Sequence, residues 1–229
     1  MRRLLPEPAG QIDPYDAYAD VPPVRVGMVL SADGSVTDPE GWTDGLGGDA
    51  DFRVFRTLRA LTDAILVGAA TVRTGRLGPA RLRPDLRERR GGPPAPVVVA
   101  SRSLDLPWDL PLFTAAETPT IVVTPSEGDV PPEIRVVRAP DLRSAVEELR
   151  DGLGLRRVLC EGGPGLTTAL LRENLVDEMC LNVAPTLLGS RFHTRLLTGL
   201  DAPVDLDLAS VHEDEGVLFL RYRVGYPVR

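Results

Sequence analysis

The sequence predicts an α/β fold with a mostly parallel central sheet, helices on its faces and an antiparallel edge near the carboxyl end. Three observations carry that expectation. Ala64-Ile-Leu-Val67, Pro96-Val-Val-Val-Ala100 and Thr120-Ile-Val-Val-Thr124 are short apolar runs of the kind found in strands buried on both faces. Segments with helical spacing alternate with them, as a parallel sheet requires. Val204–Ser210 and Val217–Val224 then close the chain as an antiparallel pair.

Residues 1–22 are rich in Pro, Asp, Ala and Tyr without a clear period, and read as an arm that packs on the surface or on a partner. The first strand is expected over Val24–Leu30, followed by a loop rich in Gly and Asp at 35–48. Asp49–Leu61 carries Phe52, Phe55, Leu58 and Leu61 at helical spacing, with Asp49 or Asp51 suited to its amino-terminal end. Ala64–Val67 is the next strand, and Gly68-Ala-Ala-Thr-Val-Arg73 turns into a short helix. Residues 74–95 hold many Arg, Gly and Pro and read as an excursion loop. The two Val-rich strands follow, with a shorter one at Val136-Val137. Asp141 opens a helix with Leu142, Val146 and Leu149 on one face. Val158–Cys160 is a further buried strand, Leu166–Arg172 a helix and Asp177–Ala184 a strand. No linker or repeat divides the chain, so residues 1–229 are expected to form one domain.

With 43% hydrophobic residues over 229 positions, the chain can bury a full core without metal or disulfide support. Cys160 and Cys180 sit inside apolar runs and read as buried thiols in a reducing compartment. His193 and His212 have no partner at metal-ligand spacing, and no Cys-x-x-Cys occurs, so no metal site is expected. Lysine is absent and all 26 basic residues are Arg, yet the net charge is −7, which argues against nucleic-acid binding. No run approaches the roughly 18 apolar residues that would span a bilayer. The opening Met1-Arg-Arg-Leu-Leu-Pro lacks the apolar stretch of a secretory leader, so the expected location is the cytoplasm.

The segment richest in chemical content is Val158-Leu-Cys-Glu-Gly-Gly-Pro-Gly-Leu166, where a buried strand runs through two glycines into a helix. Bare backbone N–H groups there can approach an anion, and the helix dipole favours negative charge. A tight turn that merely needs glycine is the alternative reading. The Gly-x-Gly-x-x-Gly dinucleotide fingerprint after a first strand is missing. Glu161-Gly-Gly-Pro-Gly-Leu166, Leu175-Val-Asp-Glu178 and Ala184-Pro-Thr-Leu-Leu-Gly189 occur together. Met28-Val-Leu-Ser-Ala-Asp-Gly34, Leu58-Arg-Ala60 and Val67-Gly-Ala-Ala-Thr-Val-Arg73 precede them. In that order these segments, covering roughly residues 22–225, resemble the pyrimidine reductase family, the reductase domain of the bacterial riboflavin deaminase-reductases. No deaminase signature accompanies them.

The resemblance implies a dihydrofolate-reductase-like fold, NADPH as cofactor, a small-molecule substrate, and a homodimer to which Cys180–Val183 and the arm contribute. It implies that Thr71 and its helix contact the cofactor diphosphate, with Gly162, Gly163, Pro164, Gly165, Leu166 and Thr167 as the second wall. Glu161 would face the junction of nicotinamide and substrate. Ser101 and Arg102, after the strand at 96–100, match the place that receives the adenosine 2′-phosphate, although a solvated turn is the plain reading. Arg59 matches a position that contacts the substrate phosphate, Arg81 or Arg83 would assist from the loop, and Ser31 would lie beside the substrate. Asp33 and Asp51 are the carboxylates expected nearest hydride transfer, with an Asp-Gly turn and a helix-start charge as their structural alternatives. The chain departs from the family pattern at Gly75, where an Asp is usual, and at Gly27, where bulkier polar residues are common. The expected activity is reduction of a ribosylamino-pyrimidine of the 5-amino-6-(5-phosphoribosylamino)uracil type. A dihydrofolate or pteridine reductase and a non-catalytic NADPH-binding module are the alternatives.

Overall fold

The computed structural model describes residues 1–43, 45–189 and 193–226. Its amino-terminal elements are β1 (Arg2–Leu5), β2 (Gly10–Gln11) and α1 (Pro14–Ala17). The central run is β3 (Val24–Ser31), α2 (Gly48–Leu61), β4 (Ala64–Gly68), α3 (Ala69–Arg73), α4 (Pro84–Arg90), β5 (Val97–Ala100), α5 (Pro111–Thr114), β6 (Ile121–Thr124) and β7 (Arg135–Arg138). It continues through α6 (Leu142–Glu147), extended by one π-helical turn at Glu148–Gly152, to β8 (Val158–Cys160), α7 (Pro164–Arg172), β9 (Glu178–Ala184), β10 (Asp205–Asp214) and β11 (Val217–Gly225). Among the described residues, eleven strands join one sheet in the order β2-β1-β10-β11-β9-β3-β8-β4-β5-β6-β7. The stretch from β9 to β7 is parallel throughout, and β11, β10, β1 and β2 extend it antiparallel. The mostly parallel sheet with an antiparallel edge is therefore present.

Alternation along β3 divides the core. Val24, Val26 and Met28 pack with Ala145, Val146, Leu149, Leu170 and Leu171 from the α6 and α7 side. On the opposite face Ala50, Val54, Leu58 and Leu61 of α2 meet Leu159, Cys180 and Phe219. A third cluster joins Ile65, Val67, Val97 and Val99 to Val72, Leu112 and Phe113. A sheet covered on both faces explains why its short strands read as unbroken apolar runs. Cys160 and Cys180 are free and buried, and burial pushes the Cys160 thiol up to about 12.

Three expectations change. The arm contributes strands: β1 pairs with β10, setting Arg2 opposite Glu213 and Arg3 opposite His212. The loop at 74–95 contains α4, with Pro84 in its first turn and Gly91 closing it at φ +73°; Pro at the start and Gly at the end are the ordinary helix punctuation. Finally, the buried face of α2 is Ala50-Val54-Leu58-Leu61, while Phe52 and Phe55 are half-buried on the neighbouring stripe. Ala50 is fully buried on that face. Among the described residues no helix is long and apolar enough to cross a membrane.

Where the arm meets the sheet, Glu178 is buried between two guanidiniums. Arg25 Nε donates to its Oε1 at 2.6 Å and Arg221 donates to its Oε2 at 2.7 Å. The same arginines donate to the carbonyls of Ala17, Tyr18 and Asp20 and lie over the Tyr18 ring, tying the arm to β3 and β11. Removing one member strands buried charge, which typically costs about 3–5 kcal/mol. Glu178→Leu is expected to lose stability of that order in urea unfolding; a loss below about 1 kcal/mol would show that the cluster contributes little.

Candidate active site

A cavity of about 370 Å³ opens at the carboxyl ends of the central strands. Its floor is Gly27, Met28 and Val29 of β3, Val67 of β4 and Asn182 of β9. One wall is the α2 stripe Asp51, Phe52, Phe55 and Arg59, with Leu58 at its edge. The other is Glu161, Gly163 and Pro164 after β8, with Thr71 of α3. β8 lies between β3 and β4, so chain connections leave its two sides in different directions. Crevices of open α/β sheets form at such switch points.

Across the cavity Arg59 and Glu161 form a bidentate pair, with Nε to Oε1 at 2.8 Å and Nη2 to Oε2 at 2.6 Å. The guanidinium also lies 4.3 Å from the centroid of the Phe55 ring. Burial pulls the Arg59 pKa down, but the facing carboxylate outweighs it and leaves it raised. The Glu161 backbone is fixed by its N–H donating to Leu66 O at 3.0 Å, a continuation of the ladder between β8 and β4. Deeper in, Asn182 Nδ2 donates to Asp51 Oδ1 at 2.7 Å. Burial raises the Asp51 pKa and this hydrogen bond only partly offsets it.

The turn into α7 separates two uses of glycine. A β-carbon on Gly162 would lie 2.5 Å from Leu166 Cδ2, so this position is held by packing. A β-carbon on Gly163 would meet nothing within 4 Å, and φ −66° suits any residue there. Gly163 and Pro164 face the cavity, while Gly165 is exposed, Leu166 covers Gly162, and Thr167 is buried with its hydroxyl donating to Gly162 O at 3.2 Å. Open space beside a bare backbone at a helix amino terminus fits a diphosphate.

Of the sequence candidates, Thr71, Asp51, Arg59, Glu161, Gly163 and Pro164 share this cavity, and the others lie outside its lining. Asp33 faces the loop after β9, where Ser31 Oγ and the N–H groups of Gly189 and Leu188 donate to it and hold its carboxyl down at about 2. Asp33 thus sits in an Asp-Gly turn outside the cavity lining, and Ser31, fully buried, also accepts from Ser35 N. Ser101 is buried and accepts from Leu104 N at 3.1 Å, whereas Arg102 is exposed. Arg81 and Arg83 are exposed, and Arg83 pairs with Asp85. Arg76 reaches the cavity instead, stacked 3.4 Å from the Trp42 ring centroid. Sequence reasoning passed over Arg76, Trp42 and Asn182. Asn182, a polar residue inside the apolar run of β9, was the one with a readable signal.

Gly162→Ala is expected to cost about 1–3 kcal/mol through overpacking against Leu166, and Gly163→Ala less than about 0.5 kcal/mol; thermal melting of the pair checks the division. Asp51 supplies a pH test. Its folded pKa lies above the unfolded value, so the stability it contributes is present at low pH and is lost as pH rises through the folded value. Asn does not titrate, so the melting temperature of Asp51→Asn should gain on that of the parent from acid towards neutral pH. A pH-independent difference would contradict the burial of an ionising carboxylate.

The model of the RibD C-terminal domain matches residues 22–219. The 2,5-diamino-6-ribosylamino-4(3H)-pyrimidinone 5′-phosphate reductase of Archaeoglobus fulgidus is 31% identical over 186 residues, covering 74% of this chain and 83% of that protein. The crystal structure of a pyrimidine reductase-like protein from Corynebacterium diphtheriae superposes with a TM-score of 0.78 at 22% identity, over 94% of this chain and all of that one. Dihydrofolate reductase from Enterococcus faecalis shares the fold more distantly, with a TM-score of 0.51 at 10% identity over 89% of this chain and 96% of that one. The chain belongs to the pyrimidine reductase family, as a RibD C-terminal domain on a dihydrofolate-reductase-like fold.

Proposed function

We propose that this protein is an NADPH-dependent reductase of riboflavin biosynthesis that converts a phosphorylated ribosylamino-pyrimidine to its ribitylamino product. The observation that carries the reading is the cavity in which the Arg59–Glu161 pair faces the bare Gly163 turn. A diphosphate fits that turn and the Thr71 side, and the cofactor, when bound, supplies a hydride. The acceptor carbon is C1′ of the ribosylamine, opened as its imine: a C–H bond forms at C1′, the C=N bond becomes single, and a proton joins the nitrogen. Glu161, between the α7 turn and the α2 stripe, orients the water that delivers that proton. The protein's larger contribution is to hold the reacting atoms together and away from solvent.

The substrate phosphate is a dianion, and this acidic chain must meet it locally. Arg59 is one partner, and Arg76 takes the loop role first expected of Arg81 or Arg83. Guanidiniums grip phosphate in a bidentate way. Arg102, which makes no ion pair among the described residues, is assigned to the 2′-phosphate that distinguishes NADPH from NADH. The aminouracil substrate inferred from sequence and the diaminopyrimidinone named for the Archaeoglobus relative share the ribosylamine and phosphate and differ only at C2 of the base. Asp51 keeps a pteridine substrate as a second reading, because its carboxylate lies in the same cavity.

The family reading also includes a homodimer. Exposed Leu5, Leu208 and Leu218 lie on one face of the antiparallel edge, in rows with Leu181, Leu220 and Tyr222 across β9, β11 and β10. An apolar face of this kind suits burial against a second copy.

Turnover of the phosphoribosylamino-pyrimidines and of dihydrofolate, followed by NADPH absorbance, tests the assignment. Reduction of dihydrofolate alone would replace it with the pteridine reading. Arg59→Ala should raise KM for the phosphorylated substrate strongly and leave NADPH affinity nearly unchanged, as loss of uniform binding does. Gly163→Val should abolish NADPH binding in a folded protein. Arg102→Ala should narrow the preference for NADPH over NADH by about 1.5–3 kcal/mol. Light scattering should find a dimer that Leu208→Glu combined with Leu218→Glu converts to monomer; an unchanged mass would place the interface elsewhere.

A further inference from the structure

Arg59 and Glu161 restrain each other in the free protein. Arg59 Nε donates to Glu161 Oε1 and its Nη2 to Oε2, so one guanidinium fork engages both carboxylate oxygens. The two members differ in access. The Arg59 side chain is 17% exposed and that of Glu161 only 6%, so an anion entering the cavity meets the guanidinium first. The Phe55 ring, 4.3 Å from the guanidinium carbon, backs Arg59 with an apolar face that remains when its partner changes. Glu161 has no second cation beside it among the described residues, and its backbone is fixed by the bond to Leu66 O.

A phosphate and a carboxylate present similar parallel oxygens to a guanidinium, and the phosphate dianion carries the larger charge. A phosphate that takes Arg59 therefore replaces one charge-assisted fork by another. The exchange leaves Glu161 without its partner in a nearly enclosed place, where an unpaired carboxylate is costly. Its oxygens must then accept hydrogen bonds from water or from the substrate. Part of the phosphate's binding energy goes into releasing Glu161 instead of into affinity. Remote groups used in this way raise kcat, and substrates that lack them lose turnover as well as binding.

We propose that the Arg59–Glu161 pair is a phosphate-operated lock. The substrate phosphate draws Arg59 off Glu161 and frees the carboxylate to orient water, so the site selects phosphorylated substrates through turnover and not through affinity alone. The proposal rests on the reductase reading of the cavity and specifies how that site is regulated. Arg59 is both the phosphate ligand and the restraint on Glu161.

The test compares the ribosylamine 5′-phosphate with the same ribosylamine lacking its phosphate, on the full chain with saturating NADPH. Loss of the phosphate should lower kcat by about tenfold to a hundredfold, the range one charge-assisted contact commands. Inorganic phosphite, a dianion that stands in for the missing group, should raise kcat on the truncated compound by about tenfold or more in the unaltered protein. In Arg59→Ala the truncated compound should turn over faster than it does in the unaltered protein, and phosphite should have no effect. A phosphate that acts only on KM, a truncated substrate unmoved by phosphite, or phosphite activation that survives in Arg59→Ala would overturn the proposal. Carbon-13 NMR of the Glu161 carboxylate, assigned with Glu161→Gln, reads the exchange without turnover and without the Arg59 variant. Its signal should shift when phosphite is added to the unaltered protein. If neither ribosylamine is reduced but the signal shifts, the reaction assignment falls and the lock stands. If the signal does not shift, the lock falls.

Discussion

The position of β8 between β3 and β4 is the constraint from which the candidate site follows. Three residues, Val158–Cys160, pair in parallel with both neighbours, and the N–H of Glu161 extends the ladder by one more bond. Glu161 is therefore set by backbone geometry before its side chain contacts anything. The strand ends there because Gly162 must admit Leu166, and α7 starts immediately. The same insertion places that helix start across from α2, whose half-buried stripe carries Phe55 and Arg59. The pairing of Arg59 with Glu161 is thus the meeting of two rigid elements, which suits a site that has to hold reacting groups in register.

Charge is used in two ways that burial separates. Glu178 is enclosed by Arg25 and Arg221 and by carbonyls of the arm, so its bonding capacity is spent on holding the arm to the sheet. Arg59 and Glu161 form a bidentate pair instead, and one edge of it forms the cavity wall. A ligand anion can compete for Arg59 without unfolding anything, whereas nothing can enter the Glu178 cluster while the arm is docked. The two ion clusters therefore differ in setting, one enclosed by the arm and one lining the cavity.

What could be read in the sequence divides along the same physical lines. Strands buried on both faces announce themselves by apolar runs, and β4, β5, β6 and β8 were legible. β1 was not, because Arg-Arg-Leu-Leu has no alternation until β10 supplies a partner. The Gly-Gly turn was legible as a turn, but only the structure shows that Gly162 serves packing and Gly163 faces the cavity. Arg81 and Arg83 follow from the resemblance alone, and loop residues carry no periodicity from which direction can be inferred. Arg76, ahead of α4, is the loop arginine that lines the cavity. Asp33 was ambiguous by type, since an Asp-Gly pair serves a turn as readily as a site. Phe52 and Phe55 fit the helical period, but period alone does not say which of two adjacent stripes faces the core.

The polar half of the cavity also carries a cost that the fold must absorb. Burial disfavours the charged form of Asp51, and an orphan oxygen on Asn182 likewise opposes folding in the free protein. Neither is needed to hold α2 against the sheet, because Ala50, Val54, Leu58 and Leu61 do that from the neighbouring face. Replacing both by apolar residues would be expected to stabilise the protein. A domain that keeps two such groups beside each other, aimed at the same space, does so against its own stability. Groups retained at that cost are more readily explained by what they bind than by what they support.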